Sequence, residues 1–102
     1  MASRLDLQSE LETILGTRNV YFNPPASVRM KYPCIRYSRS GITDRHADNL
    51  RYTSCNQYEV IVIDPDPDSA LPDTILTHFQ MCRFDRTYVA DNLCHSVLTI
   101  YY

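Results

Sequence analysis

The stretch YEVIVIDPDPD, residues 58–68, decides the fold of this chain. Its run from Val60 to Ile63 is rich in β-branched side chains, which pack well on the pleated surface of a strand. These apolar residues alternate between the two faces, so we expect cover on both faces and a central position in a sheet. The prolines that follow end the strand pairing, because proline has no amide donor and a fixed φ.

Amphipathic patterns on either side of this strand predict two helices. The first covers residues 4–15, with Glu10 and Glu12 facing outward. Ser3 can cap its start, and Gly16 suits the left-handed position that often ends a helix. Its apolar positions are Leu5, Leu7, Leu11, Ile14 and Leu15.

The second helix is predicted to follow the Asp-Pro run, over residues 69–79. Ser69 is its expected N-cap, and Pro72 then falls in the first turn, where a missing amide donor costs nothing. One apolar stripe should pack this helix onto the sheet, and it consists of Leu71, Ile75, Leu76 and Phe79.

A long hairpin is predicted in the middle of the chain. Residues 20–22 and 34–40 have strand patterns, Gly41 to Leu50 is polar and turn-like, and residues 51–63 can form one strand. At about 3.3 Å per residue this strand would run on the order of 40 Å, longer than a small core needs. Because its first half is mostly polar, we expect the tip of this hairpin to project from the body.

The last two strands are predicted at residues 82–90 and 93–102. They are joined at Asp91-Asn92, residue types that tolerate the positive φ of a tight turn. The whole pattern predicts a single α+β domain over residues 1–102. In it, a small mixed or antiparallel sheet is packed by two helices on one face and carries a long protruding β-hairpin.

Composition and charge fit one small globular domain of 102 residues, with an apolar fraction of 44%. The net charge of −2 does not indicate a general nucleic-acid binder. Between Arg29 and Arg51, six basic residues and two acidic residues give a balance of +4, which leaves −6 for the rest. A solvated hairpin explains this pattern, and the alternative is a surface that meets an acidic partner or another copy.

Chemical sites are only weakly indicated. The aspartates of residues 64–68 resemble the start of a calcium loop, but Pro65 and Pro67 interrupt it and no closing glutamate follows. Gly16 and Gly41 are the only glycines, so we expect no phosphate-binding loop, and the sequence shows no catalytic apparatus. No zinc site or activated nucleophile is expected either, because paired short gaps are missing among His78, Cys82, Cys94 and His95.

The cysteines and the N-terminus indicate the redox state and the cellular compartment. Four cysteines without Cys-x-x-Cys spacing and a polar N-terminus predict a reduced, cytosolic chain with buried thiols. No run approaches the roughly 18 apolar residues of a membrane span. The final pair, Tyr101-Tyr102, could stack on nucleic-acid bases, but we expect it to complete the core or to meet a neighbouring subunit.

Five short motifs stand out along the chain: VYFNPP at 20–25, MKYPCI at 30–35, the strand and DPDPDS run at 58–69, FDR at 84–86 and ADNL at 90–93. Together they resemble small neck and tail proteins of long-tailed bacteriophages. Within that group the order of elements is similar to the tail terminator, or tail-to-head joining, family, and the resemblance covers about residues 5–102.

The resemblance implies a structural protein of the virion neck, assembled in the cytoplasm of the host bacterium. Such proteins form a hexameric ring on the head-proximal end of the tail, where the ring stops polymerisation of the tail-tube protein and joins the head connector. Phage DNA passes through the ring, and neither a membrane nor a cofactor is involved. The alternatives are a head-closure or connector protein of the neck, and a small nucleic-acid-binding module that uses the Arg-rich hairpin.

The hairpin at about residues 36–56 is then expected to serve in assembly or to line the pore. Tyr101 and Tyr102 are the candidates for a subunit interface. The candidate side chains of the hairpin are Arg36, Arg39, Arg45, Arg51, Tyr52 and Asn56.

Overall fold

The computed structural model describes residues 4–24, 31–47, 50–79 and 81–102, and from residue 42 to 55 it describes the backbone alone. This part of the chain forms two helices and five strands. In order they are α1 (Arg4–Leu15), β1 (Val20–Phe22), β2 (Cys34–Ala47), β3 (Leu50–Asp64), α2 (Leu71–His78), β4 (Cys82–Ala90) and β5 (Leu93–Tyr101).

The strands form one sheet in the order β1-β2-β3-β5-β4. β1 pairs with β2 in parallel, and the other neighbours are antiparallel, so the sheet is mixed. β3 lies in the middle, as the β-branched run of residues 60–63 predicts. The expected α+β class with a mixed sheet is therefore confirmed.

A buried core joins both helices to alternate residues of the central strands. Leu7 and Leu11 from α1 and Ile75 from α2 are fully buried. They belong to one cluster with the strand residues Val20, Ile35, Tyr37, Tyr58, Val60, Val62, Leu98 and Ile100, and with Phe79. Full burial of a large apolar side chain stabilises the folded state by roughly 1.5–3 kcal/mol, so this cluster is the main source of stability.

The other face of β3 is covered unevenly. Ile63 is 3% exposed, and the neighbouring Cys34 and Val97 are fully buried, whereas Ile61 is only half-buried. The expectation of cover on both faces therefore holds at the end of β3 that precedes the prolines and weakens at Ile61.

Three turns are set by residues with positive φ. Gly16 (φ 82°) follows α1 and donates its backbone N–H to the carbonyl of Glu12, at 2.9 Å. Asn23 (φ 45°) ends β1, and Asp91 and Asn92 (φ 53° and 62°) connect β4 to β5 as predicted. Two consecutive residues with positive φ match the right-handed twist of a hairpin.

One strand prediction is wrong. Gly41 to Leu50 was expected to be polar and turn-like, but β2 continues to Ala47 and β3 begins at Leu50. A register shift between Arg39 and Gly41 absorbs the irregularity, and pairing resumes at Gly41 opposite Gln57. The polar composition of this segment suggested a turn, but β2 is extended here by its pairing with β3 and not by burial of apolar side chains.

Two details of the helices also differ from prediction. Leu5 is 65% exposed and lies outside the apolar stripe of α1. The N-cap of α2 is Ala70 rather than Ser69, whose hydroxyl accepts the N–H of Leu71 at 3.3 Å, and Pro72 lies in the first turn as expected. The predicted cap Ser3 lies outside the described residues.

Leu11 and Leu5 give a matched pair for testing the packing of α1. Leu11 is fully buried and Leu5 is 65% exposed. We expect Leu11→Ala to lower the free energy of unfolding by about 2–5 kcal/mol, because it removes packed atoms and leaves a cavity. Leu5→Ala should change it by less than about 0.5 kcal/mol. Urea denaturation measures both values, and equal losses would contradict this packing of α1.

Candidate functional site

The two described arginines of the predicted hairpin lie on β2 and are exposed. Arg36 is paired opposite Ile61, and it lines a small surface pocket that also includes Glu59. Arg39 is paired opposite Tyr58 and faces a different pocket. The structure therefore does not bring these two guanidinium groups to one place.

The other hairpin candidates occupy the outer parts of β2 and β3. The backbone register pairs Arg45 with Thr53 and His46 with Arg51. Tyr52 also lies on β3, and the side chains of Arg45, Arg51 and Tyr52 are outside the described set.

Asn56 lies where the outer part of β3 joins the body of the sheet. Its side chain is only 8% exposed. Its backbone N–H donates to the carbonyl of Tyr102 at 3.2 Å and its carbonyl accepts the N–H of Tyr102 at 2.9 Å. Asn56 thus contributes to the attachment of the C-terminal residue to the sheet.

A cleft that the sequence did not indicate lies between α1, β1 and the central strands. It has a volume of about 470 Å³ and is lined by Arg4, Phe22, Asn23, Arg39 and Tyr58, a set we call the arginine cleft. Its described lining has two cationic and two aromatic side chains and no carboxylate. Such a lining suits a small anionic group carried on an apolar or flexible stem.

Arg4 is held in place at the arginine cleft by two contacts. Its guanidinium carbon lies 4.3 Å from the centre of the Phe22 ring, and its Nη1 donates to the hydroxyl of Tyr37 at 3.3 Å. Because Arg4 and Tyr37 are 33 positions apart, only the folded packing of α1 on β2 brings them together.

Tyr37 lies at the centre of this local network. Its ring is 1% exposed, and its hydroxyl donates to the side-chain carbonyl of Gln8. Gln8 in turn donates to the carbonyl of Val20 at 3.0 Å, which ties α1 to β1. Burial raises the pKa of the Tyr37 hydroxyl, and the hydrogen bond from Arg4 opposes that rise.

The C-terminal residue takes part in a second polar cluster. The hydroxyl of Tyr102 donates to Glu10, and the other carboxylate oxygen of Glu10 lies 3.1 Å from Nε2 of His78. Glu10 therefore links α1, α2 and the end of the sheet instead of facing outward as predicted. Burial, and then the hydrogen bond to Glu10, raise the pKa of Tyr102 to about 12.

Tyr101 and Tyr102 differ in their surroundings. Tyr102 is half-buried, and its ring packs against Phe79 with centres 6.0 Å apart. Tyr101 is also half-buried, and its backbone N–H donates to the carbonyl of Met81 at 2.9 Å. Tyr102 thus completes the core, whereas the subunit-interface role of both residues stays a prediction.

The Asp-Pro loop, residues 64–68, is ordered by its own side chains. Oδ1 of Asp64 accepts the N–H of Asp66 at 2.8 Å, and Oδ1 of Asp66 accepts the N–H of Asp68 at 2.9 Å. These are Asx turns, in which an aspartate bonds to the backbone two residues on. Asp66 and Asp68 are exposed to solvent.

The described histidine and cysteine side chains form no metal site. In the described part of the chain, no three His, Cys, Asp or Glu side chains are grouped as metal ligands. Burial raises the pKa of the Cys34 thiol to about 11, so this thiol is protonated and unreactive at neutral pH. Burial and the nearby Asp85 also raise the pKa of Cys82.

The raised pKa of Tyr102 predicts a loss of stability in alkali. The ordinary tyrosine pKa of 10.0 applies to the unfolded chain and the value of about 12 to the folded one. The stabilisation from this hydroxyl is therefore complete below pH 10 and is lost as the pH rises through about 12.

We expect Tyr102→Phe to lower the free energy of unfolding at neutral pH. The further fall of this free energy at alkaline pH should be smaller than in the unaltered protein. Tyr88→Phe, at an exposed tyrosine, is the control, and its stability should fall with rising pH as that of the unaltered protein does. Urea denaturation at a series of pH values between neutrality and strong alkali tests both. An unchanged alkaline decline in Tyr102→Phe would show that this hydroxyl is not its source.

Among the described residues, no helix is long and apolar enough to cross a membrane. Comparison with known sequences gives the chain no family. No protein-family model matches it, and no curated protein matches it significantly.

Proposed function

We propose that this chain is a structural protein of a long-tailed phage that forms a ring at the head-proximal end of the tail. In this role it ends polymerisation of the tail-tube protein and joins the tail to the head connector. The motif resemblance at residues 20–25, 58–69 and 90–93 supports this assignment. The proposed ring is hexameric, with phage DNA passing through it.

The main observation behind this proposal is the uneven pairing of the two longest strands. β2 has 14 residues and β3 has 15, whereas β5 has nine. β3 is paired with β5 only over positions 57–64, and β2 is paired with β1 only over positions 35–37. Beyond these positions β2 and β3 have each other as their described strand partners. A hairpin of this kind supplies an arm that a small monomer does not need.

The dimensions of the molecule agree with such an arm. The radius of gyration is 14.4 Å, above the roughly 13 Å expected of a compact chain of this length. The principal extents are 50 × 26 × 22 Å, so one axis is about twice the others. We place the protruding hairpin along this long axis and both helices against one face of the sheet.

The hairpin also concentrates the positive charge of the chain. Arg45, Arg51 and Tyr52 fall on its outer part, and Arg36 and Arg39 nearer the body. In the proposed ring, these arginines face the pore or a neighbouring subunit. A positive arm at a pore attracts the DNA phosphates without reading their sequence.

Native mass spectrometry tests the ring. We expect a single closed assembly, six copies by the resemblance, in the presence of the tail-tube protein. Negative-stain images of the same sample should show a ring capping the ends of tubes, and the tubes should stop growing when the protein is added. A strictly monomeric protein that leaves tube length unchanged would contradict the proposal.

A DNA titration separates the ring protein from a nucleic-acid-binding module. A module that grips DNA through the hairpin would bind it as a monomer, with an affinity that falls steeply with salt and after Arg36, Arg39 and Arg51 are replaced by glutamine. For the ring protein, we expect no measurable DNA binding by the monomeric fraction. Strong, salt-dependent binding by monomers would favour the module.

A further inference from the structure

We infer that the arginine cleft of one copy receives the Asp-Pro loop of the next copy, in a head-to-tail contact. This inference rests on the proposed ring and names the surfaces that build it. The cleft side consists of the cations Arg4 and Arg39 and the aromatic residues Phe22 and Tyr58. The loop side consists of the exposed carboxylates Asp66 and Asp68.

The cleft has the chemistry of a carboxylate receptor. A guanidinium presents planar N–H donors that match the two oxygens of a carboxylate. Arg4 is already oriented by Phe22 and Tyr37, so it loses little freedom when a ligand binds. Within the described part of the chain, the exposed Arg39 has no ion-pair or hydrogen-bond partner.

The loop has the chemistry of the matching ligand. Two successive Asx turns and two prolines restrain the backbone of residues 64–68, so the loop presents Asp66 and Asp68 from one backbone conformation. Asp66 uses Oδ1 in its turn, and the carboxylate of Asp68 has no hydrogen bond to the described residues. Acidic groups are therefore exposed on a loop whose backbone is held by its own side chains.

The two surfaces cannot meet within one copy. Tyr58 lines the cleft and Asp64 begins the loop, and both belong to β3. Asp64 lies six positions beyond Tyr58 on this strand, which is about 20 Å at roughly 3.3 Å per residue. Complementary surfaces held apart by one strand make a heterologous contact, and repetition of such a contact closes into a ring when the rotation permits.

Charge variants test the contact in the full-length protein. Arg39→Glu should weaken self-association by about tenfold or more, because it replaces attraction with repulsion. Asp66→Asn should weaken it less, since the amide oxygen can still accept the N–H of Asp68 and keep the turn. Sedimentation velocity at increasing salt measures both, and association of the unaltered protein should weaken as salt screens the contact.

Two surface variants serve as matched controls. Arg18→Glu reverses an exposed charge outside the cleft. Asp91→Asn removes an exposed charge outside the loop and keeps a residue that tolerates its positive φ. Both should associate like the unaltered protein, and all variants should show the same circular dichroism spectrum.

Reciprocal rescue separates a lost contact from a damaged fold. Asp68→Lys reverses the loop charge and leaves both Asx turns in place. We expect Arg39→Glu and Asp68→Lys each to impair association, and the doubly substituted chain R39E/D68K to recover it, because the introduced charges again attract across the contact.

The possible outcomes distinguish this inference from the proposed function. Two results would overturn the cleft-and-loop contact without contradicting the proposed ring. Arg39→Glu and Asp68→Lys could each form normal rings, or R39E/D68K could associate no better than either single variant. An unaltered protein that never associates, even with tail-tube protein, would overturn both.

Discussion

The fold depends on the pairing of β3 along both of its edges. A backbone N–H or C=O that is buried without a partner costs about 1–3 kcal/mol, so a strand with buried side chains needs neighbours on both sides. Positions 57–63 have β2 on one edge and β5 on the other. Val60 and Val62 lie in this doubly paired part and are almost fully buried. Pro65 then ends the strand, and β1 and β4 complete the sheet on the outer edges of β2 and β5.

A second constraint is the buried hydroxyl of Tyr37, which requires partners from outside the sheet. Gln8 and Arg4 supply them, and both belong to α1. The apolar contacts of Leu7 and Leu11 permit some sliding of the helix, whereas these hydrogen bonds fix its position along the sheet. The placement of Arg4 beside Phe22, and with it the arginine cleft, follows from the burial of Tyr37.

Local signals account for what could be predicted from the sequence. The β-branched residues 60–63, the left-handed Gly16 and the Asp91-Asn92 turn each act within a few positions, and each is confirmed. The turn predicted from Gly41 onward was wrong because polar composition reports exposure to solvent, whereas the length of β2 is set by backbone pairing with β3.

Long-range contacts account for what could not be predicted. The helical pattern of α1 places Glu10 on the outward face, and only the folded positions of α2 and Tyr102 bring His78 and the Tyr102 hydroxyl to its carboxylate. The arginine cleft is of the same kind, because it joins Arg4 on α1 to residues of three strands. No periodicity within a window of the sequence carries information about contacts that span 33 or 92 positions.

The separation of charge along β3 gives the proposed ring a physical reason to close. In an open row of copies joined head to tail, one arginine cleft and one Asp-Pro loop are left without partners at the two ends. A closed ring of the same number of copies has one more contact and no unpaired charged end. Each copy contributes one cleft and one loop, so the extra contact needs no additional surface and costs little further freedom once the row is formed. Closure then depends on the rotation between neighbours, which the rigid β3 and the fixed loop keep constant from copy to copy.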